Sequence, residues 1–368
     1  MARILVPNLG STSLKYQLLD LPAETILDRG KVERIAGLGG YRGALAGVLA
    51  RHAPESLDAI GLKAVHGGPR FRGTFRLTDE VLDAMRDYSA AAPLHNPIYI
   101  AAVEILRQLA PEVPLVAVFE TGFHRTIPEH AAVYGVPADW RETHGVRRYG
   151  FHGASHRYIS ERVPRLLGRR REDLRLVSCH LGGSSSICAV SGGVSVDTTM
   201  GFSPQSGLEN ATRHGDLDPF AVQYLMDRLG LNWPHMCDQL LQHGGLAALS
   251  GIPGGDVRDL EAAGTPEARL ALDVLAYQVR KTIGAYAAAM GGLDAVAFTG
   301  GIGENSAALR EACCRGLQFL GVRLDPARNR EPSGDRVISP PDAPVAVLAL
   351  ATNEELMVAR ETYAVLTA

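Results

Sequence analysis

The chain has 368 residues, of which 46% are hydrophobic and 21% charged, a composition that excludes a disordered tail or a fibre. Its 37 basic and 40 acidic side chains leave a net charge of −3. That balance gives no electrostatic ground for a nucleic-acid or anionic-membrane partner. No apolar run approaches the roughly 18 residues of a transmembrane helix, and the start, Met1 to Asn8, lacks a signal-peptide pattern. The five cysteines (Cys179, Cys188, Cys237, Cys313, Cys314) have no metal-type spacing, so a reduced cytoplasmic protein with structural thiols is expected. At roughly 150 residues per domain, the length predicts two domains.

In chain order, Ile4-Leu5-Val6 predicts a strand, Asn8 to Ser13 a turn of small polar residues, and Leu14 to Leu18 a second strand with Leu14, Tyr16 and Leu18 on one face. Ala101 to Leu109 predicts a helix and Leu115 to Phe119 a buried strand. The Arg-rich stretch Arg141 to Arg148 is the expected boundary between halves. Pro164, inside the helical pattern Ala154 to Leu167, predicts a late start or a bend. A strand–turn–strand unit then recurs. Leu174 to Ser178 leads into His180-Leu181-Gly182-Gly183-Ser184-Ser185-Ser186, followed by Ile187 to Val190 and, after Ser191-Gly192-Gly193, by Val194 to Thr199. This short echo of the opening hairpin is weak by itself as a sign of duplication. Pro266 to Met290 predicts a helix with Leu270, Val274, Val279 and Ile283 on its apolar face, ending at Gly291-Gly292. A strand at Leu293 to Phe298, a glycine loop, a helix from Ser306 to Leu317, a strand at Val345 to Leu350 and a helix from Glu354 to Val365 complete an α/β pattern.

Three small-residue turns follow strands: Asn8 to Ser13, His180 to Ser186 and Thr299 to Asn305. Such turns expose backbone N–H groups that bind phosphate oxygens, or simply reverse the chain. No Gly-Lys-Ser/Thr triplet occurs, so there is no Walker A loop. Histidines gather beside turns: His66, His95, His124, His152, His156 and His180. His152 and His156 have i,i+4 spacing, but no Glu follows the first, and a glycine lies between them, which argues against zinc. Hydrogen bonding to a substrate or charged intermediate suits them better, with a structural role as the alternative for each. Arg213, among turn formers, can fork onto a carboxylate or phosphate or form a surface ion pair. Glu354 and Glu355 open the last helix, where they either hold Mg²⁺ or stabilise the helix start.

Taken together, Asn8 to Tyr16, Val65-His66-Gly67-Gly68, Pro93 to Pro97, Tyr149 to His156, Phe298 to Ser306 and Thr352 to Leu356 resemble the acetate kinase family, in that family's order and over nearly the whole chain. The resemblance implies two duplicated actin-like, ribonuclease-H-like α/β domains with a nucleotide cleft between them. The first domain would span 1–148 plus the C-terminal helix from about 355, and the second 149–354. It further implies a homodimer, ATP/ADP and Mg²⁺ as cofactors, and reversible phosphorylation of acetate or a close short-chain acid.

The same resemblance carries roles position by position. Arg213, His152, His95, Glu120 and Lys63 match active-site residues. Asn8 and Glu354 match the metal side. Ser11, Ser13, Lys15, His180, Gly182 and Gly183 match phosphate-side positions. Asp256, Arg258, Gly301, Gly303 and Asn305 match the adenosine and ribose side. Lys63, Val65, Leu94, Phe151 and Pro204 match the pocket for the acid. All of these are expected to converge on one crevice.

Three positions depart from the family pattern: Lys63 stands for arginine, Glu120 for aspartate and Gly183 for asparagine. Lysine keeps the charge but loses the planar fork. Arg70 and Arg72, just after the Val-His-Gly-Gly motif, are candidates to replace that fork. The segment Pro204 to Ala211 also differs, and the chain is short for the family. These departures leave open a different small carboxylate, a slow enzyme, or a nucleotide-binding protein with little catalysis. An actin- or chaperone-like ATPase is the remaining alternative.

Overall fold

The computed structural model describes residues 1–10, 13–332 and 334–368. Two six-stranded sheets organise the chain. The first contains β1 (Ala2–Leu9), β2 (Ser13–Leu21), β3 (Thr25–Glu33), β4 (Ala59–Ala64), β5 (Thr74–Arg76) and β6 (Leu115–Phe119), in the order β3-β2-β1-β4-β6-β5. The second contains β7 (Arg175–His180), β8 (Ser186–Ser191), β9 (Val194–Thr198), β10 (Ala295–Thr299), β11 (Arg336–Val337) and β12 (Ala346–Ala349), in the order β9-β8-β7-β10-β12-β11. Strand senses match as well. In each half the first three strands form an antiparallel meander, the next two run parallel to the first, and the edge strand is antiparallel. The short echo between Asn8 and His180 is therefore the visible trace of a full structural repeat.

Strand chemistry explains the layers. β1 is buried along nearly its whole length because both faces are covered. Leu5, Leu14, Tyr16 and Leu18 join the core on one face, with Tyr41 and Leu45 from the helix Gly37–Arg51 and Tyr99 and Leu106 from the helix Asn96–Leu109. Ile4, Val6, Leu19 and Leu21 face the other way, against Val358 and Ala359 of the helix Glu354–Thr367. The last helix thus returns to the first sheet. Gly61 permits that approach: a Cβ there would lie 2.3 Å from Thr362 Oγ1.

In the second half the helix Pro266–Ala289 packs on the sheet through Ala268, Ala271, Leu275, Val279 and Ile283. Leu270 instead points to solvent at 53% exposure, and Val274 is only half-buried. Val279 and Ile283 lie on this buried stripe as expected, whereas alanines carry its first half, where Leu270 and Val274 were expected. The helix Gly153–Leu167 does not start late: Pro164 lies in its last turn, where the missing N–H deprives only the Ser160 carbonyl. The Arg141–Arg148 stretch is tied down: Arg148 donates through Nη1 to the carbonyls of Thr198 (2.7 Å) and Thr199 (3.1 Å).

Candidate active site

Parallel strands in both sheets end toward one crevice, the position that open α/β sheets use for ligands. A cavity of about 600 Å³ lies there, lined among others by Asn8, Lys63, Val65, Leu94, His95, Glu120, Phe151, His152, Gly183, Pro204 and Arg213. Asn8 comes from β1, Lys63 from β4, and Glu120 from the residue after β6. The second half supplies Gly183 from the loop after β7 and Arg213 from the loop before the helix Pro219–Leu229. Residues more than 200 positions apart in sequence therefore share one opening.

Arg213 sits on a segment closed upon itself. Gly207 N donates to Asp216 Oδ1 (2.8 Å), Asp216 N to the Gly207 carbonyl (2.9 Å), and Asn210 N to the Arg213 carbonyl (3.1 Å). The segment is also stitched to the loop after β7, through Ala211 N to the Gly183 carbonyl (3.0 Å) and Ser185 N to Asn210 Oδ1 (2.6 Å). Arg213 is 7% exposed, and its Nη1 donates to the Pro204 carbonyl at 3.0 Å. Among the described residues no carboxylate pairs with it. Burial pushes its pKa down to about 10. His95, on the opposite wall, has a buried Nδ1 with no partner among the described residues. Burial, reinforced by the charges of Arg213 and Lys63, lowers His95 to about 4. A buried cation and neutral imidazoles around an apolar floor form a receptor for an anion with a small hydrocarbon tail.

The first-half wall holds an ion pair beside a second carboxyl group. Lys63 Nζ bonds Glu354 Oε2 at 2.5 Å, behind the cavity surface. Burial opposes the Lys63 charge, yet the carboxylates of Glu354 and Glu120 outweigh it and raise its proton affinity. Glu354 is held below the ordinary carboxylate range, because Lys63 overrides the cost of burial. Glu120 goes the other way: burial raises it, Lys63 only partly opposes this, and Glu354 adds repulsion. Its Oε1 is buried with no partner among the described residues. Asn8 donates through Nδ2 to Glu355 Oε1 at 2.9 Å.

His152 opens the helix Gly153–Leu167 in a left-handed conformation (φ 56°), uncommon for a side-chain-bearing residue. Two contacts hold it there. His124 Nε2 donates to the Phe151 carbonyl (2.9 Å), and Gly153 lets the helix start abut the Glu120 carbonyl, where a Cβ would come within 2.1 Å. The His152 ring stacks on His180 with centroids 4.4 Å apart, and its Nδ1 lies 2.8 Å from Ser186 Oγ. Burial, with His180 and His156 adding to it, holds His152 well below the ordinary histidine range.

The remaining expected positions are distributed around this centre. His180 ends β7 with Nδ1 2.8 Å from Ser155 Oγ, and Gly182 follows in the loop. Lys15 pairs across the hairpin with Asn8, and Ser13 begins β2. Ser11 lies outside the described residues. Asp256 caps the helix Val257–Ala263 and grips Arg258, whose Nη2 lies 2.6 Å from Asp256 Oδ2. Gly301, Gly303 and Asn305 lie on the short helix Gly300–Asn305, and Asn305 Nδ2 donates to the Gly301 carbonyl. Ser13, Lys15, His180, Gly182 and Glu354 lie outside the cavity lining, and so do these last five. Those five form a flank of the second half, joined through Ser306 Oγ to Glu261 Oε1 (2.5 Å).

Other expectations are corrected. Arg70 pairs with Glu80 on the surface, and Arg72 donates to the His124 carbonyl under the Tyr149 ring, so neither lines the cavity or replaces a fork there. His66 and His124 are fully buried and spend their ring nitrogens on structural bonds. Ile98, Tyr99, Thr212 and Gln242 also line the cavity but were not singled out in the sequence. Ile98 and Tyr99 follow His95 by three and four residues on a helix, a signal that was available; Gln242 gave none.

The Acetokinase family model matches residues 44–360. The chain belongs to the acetokinase family. It is 43% identical to the acetate kinase of Geobacillus sp. (strain WCH70), covering 98% of each chain. That alignment spans 390 positions, more than the chain's own 368 residues, so this family relative carries additional internal residues. The crystal structure of Porphyromonas gingivalis acetate kinase superposes with a TM-score of 0.88 at 35% identity over all of both chains. A propionate kinase from Francisella tularensis subsp. tularensis SCHU S4 gives a TM-score of 0.89 at 32% identity, covering 98% of this chain and 99% of that one. The chain is thus an enzyme of the acetate kinase type, a phosphotransferase.

Proposed function

We propose that the enzyme transfers the terminal phosphoryl group of ATP to the carboxylate of acetate or a close short-chain acid, reversibly and in line. The observation that carries this reading is Arg213: a buried guanidinium with no carboxylate partner among the described residues, facing a cavity floored by Val65, Leu94, Phe151 and Pro204. A carboxylate oxygen attacks the terminal phosphorus while the bond to the bridging oxygen breaks, leaving acyl phosphate and ADP. The carboxylate is already a nucleophile, so no general base is needed. Positioning and charge do the rest, with Arg213, His152 and His95 around the moving group.

The flank formed by Asp256, Arg258, Gly301, Gly303 and Asn305 is read as the nucleoside side of the site, with Ser13, Lys15, His180, Gly182 and Gly183 toward the phosphates. The carboxylate of Glu354 and the amide of Asn8 suit a hard oxygen-seeking cation, and the buried Glu120 Oε1, which has no partner among the described residues, supports that fit. Bound Mg²⁺ would neutralise phosphate charge there.

The departures at Lys63 and Glu120 support a second reading, an enzyme tuned to another small acid, and the similarity to a propionate kinase favours it. Purified protein with ATP, Mg²⁺, hydroxylamine and an acid panel distinguishes these readings. Hydroxamate from acetate is expected; a larger acid turning over faster selects the second reading, and nucleotide binding without any hydroxamate refutes both.

We read the chain as a cytoplasmic homodimer whose domains divide at 148/149, with the last helix returned to the first. Five unpaired cysteines support the compartment. The helix Pro219–Leu229 supports the dimer: it buries no residue, while Phe220, Tyr224, Leu225 and Leu229 stand exposed at helical spacing.

A further inference from the structure

Behind His152 runs a chain of side chains that the transfer reaction does not touch. His152 Nδ1 lies 2.8 Å from Ser186 Oγ, the same oxygen lies 2.8 Å from His156 Nε2, and His156 Nδ1 lies 2.9 Å from Ser178 Oγ. Ser186, His156 and Ser178 are all fully buried. Each hydroxyl has one proton, and each neutral imidazole has one N–H and one acceptor nitrogen. A buried hydroxyl proton left unbonded is costly.

These rules allow one direction. Among the described residues, Ser178 Oγ has a single partner, His156 Nδ1, so its proton goes there. His156 must then carry its own proton on Nε2, which donates to Ser186. Ser186 accepts that bond, so its proton is left for His152 Nδ1. We propose that Ser178, His156 and Ser186 form a directional hydrogen-bond relay that fixes neutral His152 in its Nε2–H form, presenting a permanent donor to the anion in the cavity. The reverse polarity would strand the Ser178 proton and present a lone pair to an anionic oxygen.

Burial keeps His156 and His152 far below the ordinary histidine range, so the relay operates with both rings neutral. Ser178, His156 and Ser186 are positioning residues; only His152 faces the cavity. The role given to His152 rests on the phosphoryl-transfer reading, whereas its tautomer does not.

The test is long-range ¹H–¹⁵N NMR of the histidine-labelled full chain without substrate, with the His152 signals identified by their loss in His152→Gln. Wild type should show His152 as the Nε2–H tautomer. Ser186→Ala should give a mixture of tautomers and lower kcat at least roughly tenfold with little change in KM, and Ser186→Thr, which keeps the hydroxyl, should restore both. A wild-type His152 in the Nδ1–H or imidazolium form overturns the relay, as does an unmixed Nε2–H signal in Ser186→Ala. Should Ser186→Ala fail to fold, the wild-type spectrum decides alone. A blank hydroxamate assay beside an Nε2–H spectrum would remove the proposed function and leave the relay standing.

Discussion

Replacing Arg213 with methionine separates a functional cation from a structural one. Arg213 is 7% exposed, and no described carboxylate compensates its charge. Burial lowers its pKa from the ordinary arginine range to about 10. At about 1.36 kcal/mol per unit, that depression corresponds to roughly 3 kcal/mol against the charged form in the folded state. The sign follows: a base with a depressed folded pKa is protonated in both states at pH 7, so the whole cost is present there and fades only as pH rises above about 10. Removing the charge while roughly keeping the volume should therefore leave the protein as stable as wild type, or more stable by about 1–3 kcal/mol.

Activity should move the other way. Losing one preorganised charge at the transferring group costs about 2.7–4 kcal/mol of barrier, a hundred- to thousandfold in turnover. Urea denaturation at pH 7, with hydroxamate turnover on the same preparations, gives both numbers. Turnover within threefold of wild type, or a loss of several kcal/mol in stability, would refute the reasoning.

Glu120 should show a characteristic pH dependence. Its folded pKa is raised, so its ionisation penalises the fold only above the ordinary carboxylate range. Glu120→Gln should gain melting temperature over wild type as pH rises from 4.5 to 8, and a flat difference would contradict the assignment. Gly153→Ala should destabilise by about 1–3 kcal/mol or more and abolish turnover, since its Cβ would meet the Glu120 carbonyl at 2.1 Å. Gly284→Ala, with nothing within 4 Å, should instead stabilise by about 0.5–1 kcal/mol; thermal melts compare the two. Placing aspartates at Phe220 and Leu229 should convert a dimer to a monomer in sedimentation analysis, and an unchanged mass would remove that helix from the interface.

The strands were legible because alternating or unbroken apolar runs report burial locally. Leu14, Tyr16 and Leu18 do share a buried face, and Leu115 to Phe119 is a buried strand. The helix Pro266–Ala289 is legible, with Val279 and Ile283 on its buried face, but Leu270 and Val274 fall off that face, because Ala268 and Ala271, which carry little hydrophobic signal of their own, hold the buried positions near its start. Arg70 and Arg72 looked plausible as forks because sequence proximity to a motif does not reveal where a side chain can reach. Ser178 and Ser186 gave no signal: a serine in a strand looks the same whether it faces solvent or a histidine.

From the sequence by itself came the residue types needed to handle an anion, the turns that present them, and the family to which those motifs belong. These are local or ordered along the chain, so they survive in one dimension. The tertiary structure decided which charges meet. Lys63 pairs with Glu354, Glu120 keeps an oxygen with no described partner, and Arg213 has no described acidic partner, because pairing depends on distance and burial across two folded sheets. Electrostatic strength in a protein interior is set by which groups lose water together, and that is a property of the assembled cleft.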